Sequence, residues 1–135
     1  MAVQLIHPSG LFRAEHYTQV AIATGTRTVY LAGQVAYDEH QRIVGVGDLA
    51  AQTEQATLNV GRALEAAGAT FEDVAKLTIY VTQWTPEQMP RFVEGFSRAA
   101  QRLGITSRPP ASLIGVEVLF DPDIRIEIEA IAVLP

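Results

Sequence analysis

The chain closes on IRIEIEAIAVLP, residues 124–135, and the alternation in this stretch decides the fold. Read as a strand, it sends Ile124, Ile126, Ile128, Ala130 and Ala132 to one face. Arg125, Glu127, Glu129, Ile131 and Val133 go to the other. The first face is wholly apolar and requires a packed layer against it. The second carries two carboxylates and then turns apolar again. Glu127 and Glu129 are therefore either the solvated side of an ordinary strand or include a buried acid kept for chemistry.

Working back from this strand, DPD (121–123) is a turn, and SRPPASLIGVEVLF (107–120) is a strand entered through two prolines. VAKLTIYVT (74–82) is a third strand, with Leu77, Ile79 and Val81 on one face. Two helices separate the strands. The first runs from Leu49, with Asp48 as N-cap, along the stripe Leu49, Thr53, Ala56, Val60, Leu64 and Ala67 to a terminating Gly68. Pro86 and Pro90 suit only the opening of the second. Its spacing predicts a turn at 85–89 and a helix at 90–103 whose stripe is Phe92, Phe96, Ala99 and Leu103, with Gly104 ending it. Upstream, YTQVAIAT (17–24) and TVYLAGQVAY (28–37) read as a hairpin around the GTR turn.

The order is hairpin, helix, strand, helix, two strands. Each helix has a single apolar stripe, so both belong on one face of a single mixed sheet of about six strands, an α+β architecture. No third helix remains for the other face. Self-association is the economical way to cover it.

With 135 residues the expectation is one domain, 1–135. The composition, 48% hydrophobic and 19% charged, favours a globular chain over a disordered one. No apolar run reaches the ~20 residues that span a bilayer, so no membrane partner is expected, and the expected compartment is the cytoplasm. Cysteine is absent, which excludes disulfides, thiolate catalysis and zinc–thiolate sites. The net charge is −5 and nine arginines are scattered along the chain beside a single lysine, Lys76. Nucleic-acid affinity needs clustered positive charge, so no nucleic-acid partner is expected.

Several strings, in order and over nearly the whole chain, resemble the RidA/YjgF family. They are YTQVAIATGTRTVYLAGQVAYD (17–38), AAQTEQATLNVGRALEAAGATFEDVAKLTIYVT (50–82), RPPASLIGVEV (108–118) and EIEAIAV (127–133). The resemblance implies a chorismate-mutase-like fold, a homotrimer around a central barrel-like core and three clefts at subunit interfaces. It also implies hydrolysis of reactive enamines and imines to 2-oxo acids and ammonia, with no metal or organic cofactor.

Carried over by position, the carboxylate that handles the hydrolytic water is Glu127, the cleft tyrosine is Tyr17, and the backbone-contributing glycine is Gly33. The chain departs from the pattern at the start of the penultimate strand, where archetypal members place an arginine that clamps the substrate carboxylate. Aligning Gly115 puts Ala111 at that position and Leu113 where some members have cysteine. A guanidinium gives bidentate hydrogen bonds that alanine cannot. Losing one such contact costs about 1.5–3 kcal/mol. Arg108, three residues earlier, is a neighbouring cation on the same loop.

Each of these residues also has a plainer reading. Glu127 is equally at home as an exposed strand residue paired with Arg125, a pairing of little energetic weight, and Glu129 reads as structural. Tyr17 at a strand start is packing or a cleft wall, and Gly33 within a strand marks close backbone approach. Ser112 lies in no nucleophile elbow and suits a hydrogen bond to ligand or backbone. His7, His16 and His40 have no metal-ligand spacing.

Two functions follow. One is a metal-free hydrolase of imine, enamine or related C–N bonds of a small metabolite, with Glu127 as the acid/base and Tyr17, Gly33, Arg108, Ala111, Ser112 and Leu113 around the substrate. The other is a non-catalytic trimer that binds a small metabolite or a partner protein. The ribonuclease activity ascribed to some relatives of the family fits the acidic charge poorly.

Overall fold

A computed structural model describes residues 2–135. The strands and long helices follow as β1 (Val3–Ile6), β2 (Val20–Ala23), β3 (Arg27–Tyr30), α1 (Leu49–Ala66), β4 (Val74–Thr82), α2 (Met89–Leu103), β5 (Ala111–Val116) and β6 (Ile126–Leu134). One-turn 3-10 helices at Phe71–Asp73 and Pro86–Gln88 lead into β4 and α2.

Capping fixes the helices where the sequence places them. Asp48 sits in extended backbone and accepts the Ala51 N–H at 3.0 Å, satisfying one orphan donor of the first turn. Past the last turn of α1, Gly68 adopts φ +78°, and Gly104 closes α2 with φ +68°, left-handed conformations that glycine enters without a Cβ clash.

The main sheet has the order β3-β6-β4-β5. β6 is antiparallel to both neighbours, whereas β4 and β5 run parallel and are joined by the α2 crossover that a parallel pair demands. β6 alternates as its sequence implies, with Ile126, Ile128, Ala130 and Ala132 buried against the helices. Leu77, Ile79 and Val81 of β4 join them, and Val60 and Leu64 of α1 close the core from above.

Two expectations are corrected. Segments 17–24 and 28–37 do not pair as a hairpin: β2 pairs with β1 in a separate two-stranded ribbon, and β3 pairs with β6. The six strands thus form sheets of two and four rather than one. The reason lies at Gly25, where any Cβ would run into the backbone carbonyl of Leu134. This glycine serves close approach to the end of β6, sealed by the Thr26 N–H on Leu134 O at 3.0 Å, rather than a tight turn. The second correction concerns α2. It meets α1 through Gly95 and Ala99, both buried, because a Cβ on Gly95 would fall 2.8 Å from Thr53 Cβ. Phe92 and Phe96 stay partly exposed and Leu103 is 41% exposed.

A buried polar clamp sets the register of β6. Gln52, fully enclosed, donates to Asp123 O at 2.8 Å and Gly45 O at 3.2 Å, and accepts the Arg125 N–H at 2.8 Å. The Arg125 guanidinium in turn reaches Gln88 Oε1 at 2.7 Å. With its chain direction and height fixed one residue before β6 begins, the strand has one way to present Glu127.

Candidate functional site

Strand alternation gives the main sheet a face turned away from the helices. On β6 this face carries Glu127, Glu129, Ile131 and Val133, and on β4 it carries Lys76, Thr78 and Tyr80. Glu127 and Tyr80 are direct cross-strand partners, as are Glu129 and Thr78. One strand further, Ser112 stands beside Thr78 and Ile114 beside Tyr80. From β3, Tyr30 adds a ring that is 76% exposed.

Glu127 is half-buried and lies against Gly33. A Cβ on that glycine would come within 2.6 Å of the Glu127 Cδ and 2.7 Å of its Cγ. The approach is fixed by the neighbouring residue, since Gln34 and Ile128 exchange backbone hydrogen bonds of 2.8 and 2.9 Å. Gly33 is therefore the floor on which the carboxylate rests. Burial pushes the Glu127 carboxyl above the ordinary glutamate value, and the Glu129 charge two residues away pushes it further. The Tyr80 hydroxyl holds its proton more tightly than usual, chiefly through its hydrogen bond to the Glu129 carboxylate. Glu127, Tyr80 and Glu129 thus stand together on this outer face of the sheet.

The remaining candidates divide between the two faces. Ser112 shares the face of Glu127, and its Oγ lies 2.8 Å from the Lys76 Nζ. Ala111 and Leu113 point the other way, in register with Leu77 and Ile79 on the helix side. Within one chain, alternation therefore puts Ser112 and Ile114 on the carboxylate's face, and Ala111 and Leu113 on the opposite one. Tyr17 and Arg108 also lie with the helix-side groove, where the Arg108 Nη1 donates to Glu15 O at 2.7 Å and the Arg108 carbonyl accepts from the Thr18 hydroxyl at 2.6 Å. Within this chain Tyr17 and Glu127 do not share a surface.

Sequence reasoning overlooked Tyr80 and Lys76. The strand 74–82 was legible, and putting Leu77, Ile79 and Val81 inside leaves Thr78 and Tyr80 outside. The same alternation leaves Lys76 on that outer face, and a bulge between Val74 and Lys76 turns Val74 back to the buried one. Their adjacency to the β6 carboxylates depends on the β4–β6 register, for which the sequence carries no local signal. His7, His16 and His40 are all exposed, and no group of three or more His, Cys, Asp or Glu suited to a metal ion occurs among the described residues. No helix among the described residues is long and apolar enough to cross a membrane.

Comparison with known proteins places this arrangement. The family model described as Endoribonuclease L-PSP matches residues 10–134. A RutC family protein of Synechocystis, slr0709, is 31% identical over 120 residues, covering 88% of this chain and 86% of that protein. Another RutC family protein, PH0854 of Pyrococcus horikoshii, is 36% identical over 105 residues, 77% of each chain. Among solved structures, the Rid-family protein YyfB of Yersinia pestis, of unknown function, superposes with a TM-score of 0.89 at 32% identity, covering 99% of this chain and 100% of that one. Two helices on a sheet whose central strand ends in EIEAIAV make the chorismate-mutase-like fold of these proteins, and with its family model matched along nearly its whole length, this chain belongs to the RidA/YjgF family.

Proposed function

We propose that the protein is a metal-free hydrolase of imine or enamine C–N bonds of a small metabolite, working in clefts between the subunits of a homotrimer. The observation that carries this reading is Glu127: a half-buried carboxyl with raised proton affinity, resting on the Gly33 backbone of an uncovered sheet face. A carboxyl whose proton affinity is shifted toward neutrality both takes and returns a proton readily.

The steps balance without a further reactant. The Glu127 carboxylate accepts a proton from water as the water oxygen bonds to the imine carbon and the C=N pair moves to nitrogen, and it passes that proton to the nitrogen to give a carbinolamine. Glu127 then takes the carbinolamine hydroxyl proton as C=O forms and the C–N pair leaves with nitrogen, and it returns that proton to the nitrogen to make ammonia. Tyr80, on the adjacent strand, lies where it can hold the attacking water, while Lys76 with Ser112 supplies positive charge on this face in place of the archetypal arginine. Tyr30, Ile114 and Ile131 leave the same face partly apolar, which further copies of the chain would cover. Tyr17 of a neighbouring copy then becomes available as the opposite wall.

The Endoribonuclease description attached to the family model gains no support from the net charge of −5 or the dispersed arginines. The test is turnover of imines generated in situ by an amino-acid oxidase, from small to bulky side chains, with wild type beside Glu127→Gln. Turnover by wild type that falls about a hundredfold or more in the variant, the usual range for loss of a general acid–base group, sustains the hydrolase. A wild type inert on the whole panel leaves the non-catalytic binding trimer as the better reading.

A further inference from the structure

Read by alternation alone, Glu129 belongs to the scaffold, yet the register of the main sheet gives it a more particular place. Tyr80 lies directly opposite Glu127, and the residue opposite Glu129 is Thr78. Tyr80 and Glu129 are therefore diagonal neighbours across the β4–β6 pair, a separation that an aromatic ring and a glutamate side chain can bridge. The Tyr80 hydroxyl does bridge it, donating to the Glu129 carboxylate. Both side chains are half-buried. One phenol oxygen thus stands between two carboxylates of a single strand, and its only hydrogen is committed to the second of them.

The other groups on this face are accounted for. Arg125, the preceding outward residue of β6, donates to Thr82 O at 3.2 Å and to Gln88 Oε1 at 2.7 Å. Lys76 is opposite Ile131 and so diagonal to Glu129, but it turns toward β5, where its Nζ lies 2.8 Å from Ser112 Oγ. β5 adds Ser112 and Ile114, which do not titrate near neutrality. β3 brings Tyr30, opposite Ile131 rather than Glu127, and Gly33 beneath the Glu127 carboxyl has no side chain.

A hydroxyl whose hydrogen is committed in one direction can only accept in the other. Water held at Glu127 then has both hydrogens engaged, one by the carboxylate and one by the Tyr80 oxygen, and a lone pair is left for the imine carbon. We propose that Glu129 is a positioning residue for the hydrolysis: by accepting the Tyr80 O–H it turns the Tyr80 oxygen to the water that Glu127 deprotonates. Without Glu129 the same hydroxyl is free to donate to Glu127 and occupy the base. The inference rests on the hydrolase reading. The Glu129 charge also raises the proton affinity of Glu127, so it helps to set the pH below which the base is lost.

The experiment uses the intact, assembled protein and follows loss of an oxidase-generated imine, above its spontaneous rate, across the acid and neutral pH range. Wild type runs beside Tyr80→Phe, Glu129→Ala, Glu129→Gln and the double variant Tyr80→Phe/Glu129→Ala. On the plateau above the acid limb, Tyr80→Phe is expected to lose about tenfold, the scale of one hydrogen bond. Glu129→Ala is expected to lose a similar factor, and the double variant to fall no further than Tyr80→Phe alone, since both changes remove one contact. Glu129→Gln keeps an acceptor and removes the charge, so its plateau falls less than that of Glu129→Ala while its acid limb moves to lower pH. That variant carries the test should Glu129→Ala fail to assemble. Losses that multiply in the double variant, or an acid limb unmoved by Glu129→Gln, overturn the proposal and return Glu129 to the scaffold, while loss of turnover in Glu127→Gln keeps the hydrolase reading. A wild type inert on every imine, or Glu127→Gln as active as wild type, removes that reading and this inference with it.

Discussion

The two faces of the four-stranded sheet are made by the same residues read one position apart, yet they obey different constraints. On the helix side Ile126, Ile128, Ala130 and Ala132 are sealed under α1, and each position is decided by volume. On the open side the intervening residues include two carboxylates, a lysine, two tyrosines and Ile131, which is 38% exposed. A strand can afford this because its stability is supplied by one face, leaving the other free for proton-binding groups that would be intolerable in a core.

Cutting into each face in turn tests that division most severely. Ile128→Ala opens a cavity under α1 and is expected to cost about 2–5 kcal/mol in urea unfolding. Ile131→Ala, three residues on and on the other face, is expected to cost under about 1 kcal/mol per chain, but to lower the assembly mass in sedimentation at low protein concentration. Equal losses of chain stability in the two variants would erase the distinction between the faces.

Between these extremes lies Gly33→Ala. A new Cβ would need the space of the Glu127 carboxyl, 2.6 Å from its Cδ, so the carboxyl must swing away while the sheet hydrogen bonds of Gln34 remain. Displacement of a catalytic group by an ångström or so is worth about a hundredfold in rate. The variant is therefore expected to lose imine turnover on that scale with a melting temperature close to wild type. Loss of fold instead of rate would show that Gly33 serves the sheet and not the carboxylate.

How much of this was legible depends on whether the determinant was local. The limits of α1, β4 and α2 were readable because Asp48, Gly68, Pro86 and Gly104 act on their own neighbours. Glu127 stood out through alternation and its family string. The pairing of β2 with β1 was not readable, because the four-residue stretch Val3–Ile6 is too short to announce a strand and Gly25 looks like a turn residue until the carbonyl of Leu134 is beside it. The site suffered similarly. Ala111 and Ser112 are adjacent in sequence, and only the pairing of Leu77 with Ala111 decides which of them shares a face with Glu127. Tyr80 became part of the site through register alone.

The finest distinction between the faces is electrostatic and concerns the sign of one residue's contribution to stability. Glu127 has its proton affinity raised above the ordinary value of 4.5, first by burial and then by Glu129. A carboxyl shifted in that direction favours the folded state in its protonated form. Its stabilising contribution is complete below the unfolded value and is lost as pH rises through the higher, folded one. At neutral pH the ionised group therefore works against folding. Glu127→Gln, which keeps the shape and removes the charge, is expected to raise thermal stability at neutral pH, with the gain shrinking to nothing as pH falls below 4.5. A structural carboxylate, paired and satisfied, would give the opposite sign, and stability lost at neutral pH in the variant would return Glu127 to the role of ordinary strand residue. A variant more stable yet without turnover is the signature of an acid held in place against the preference of the fold.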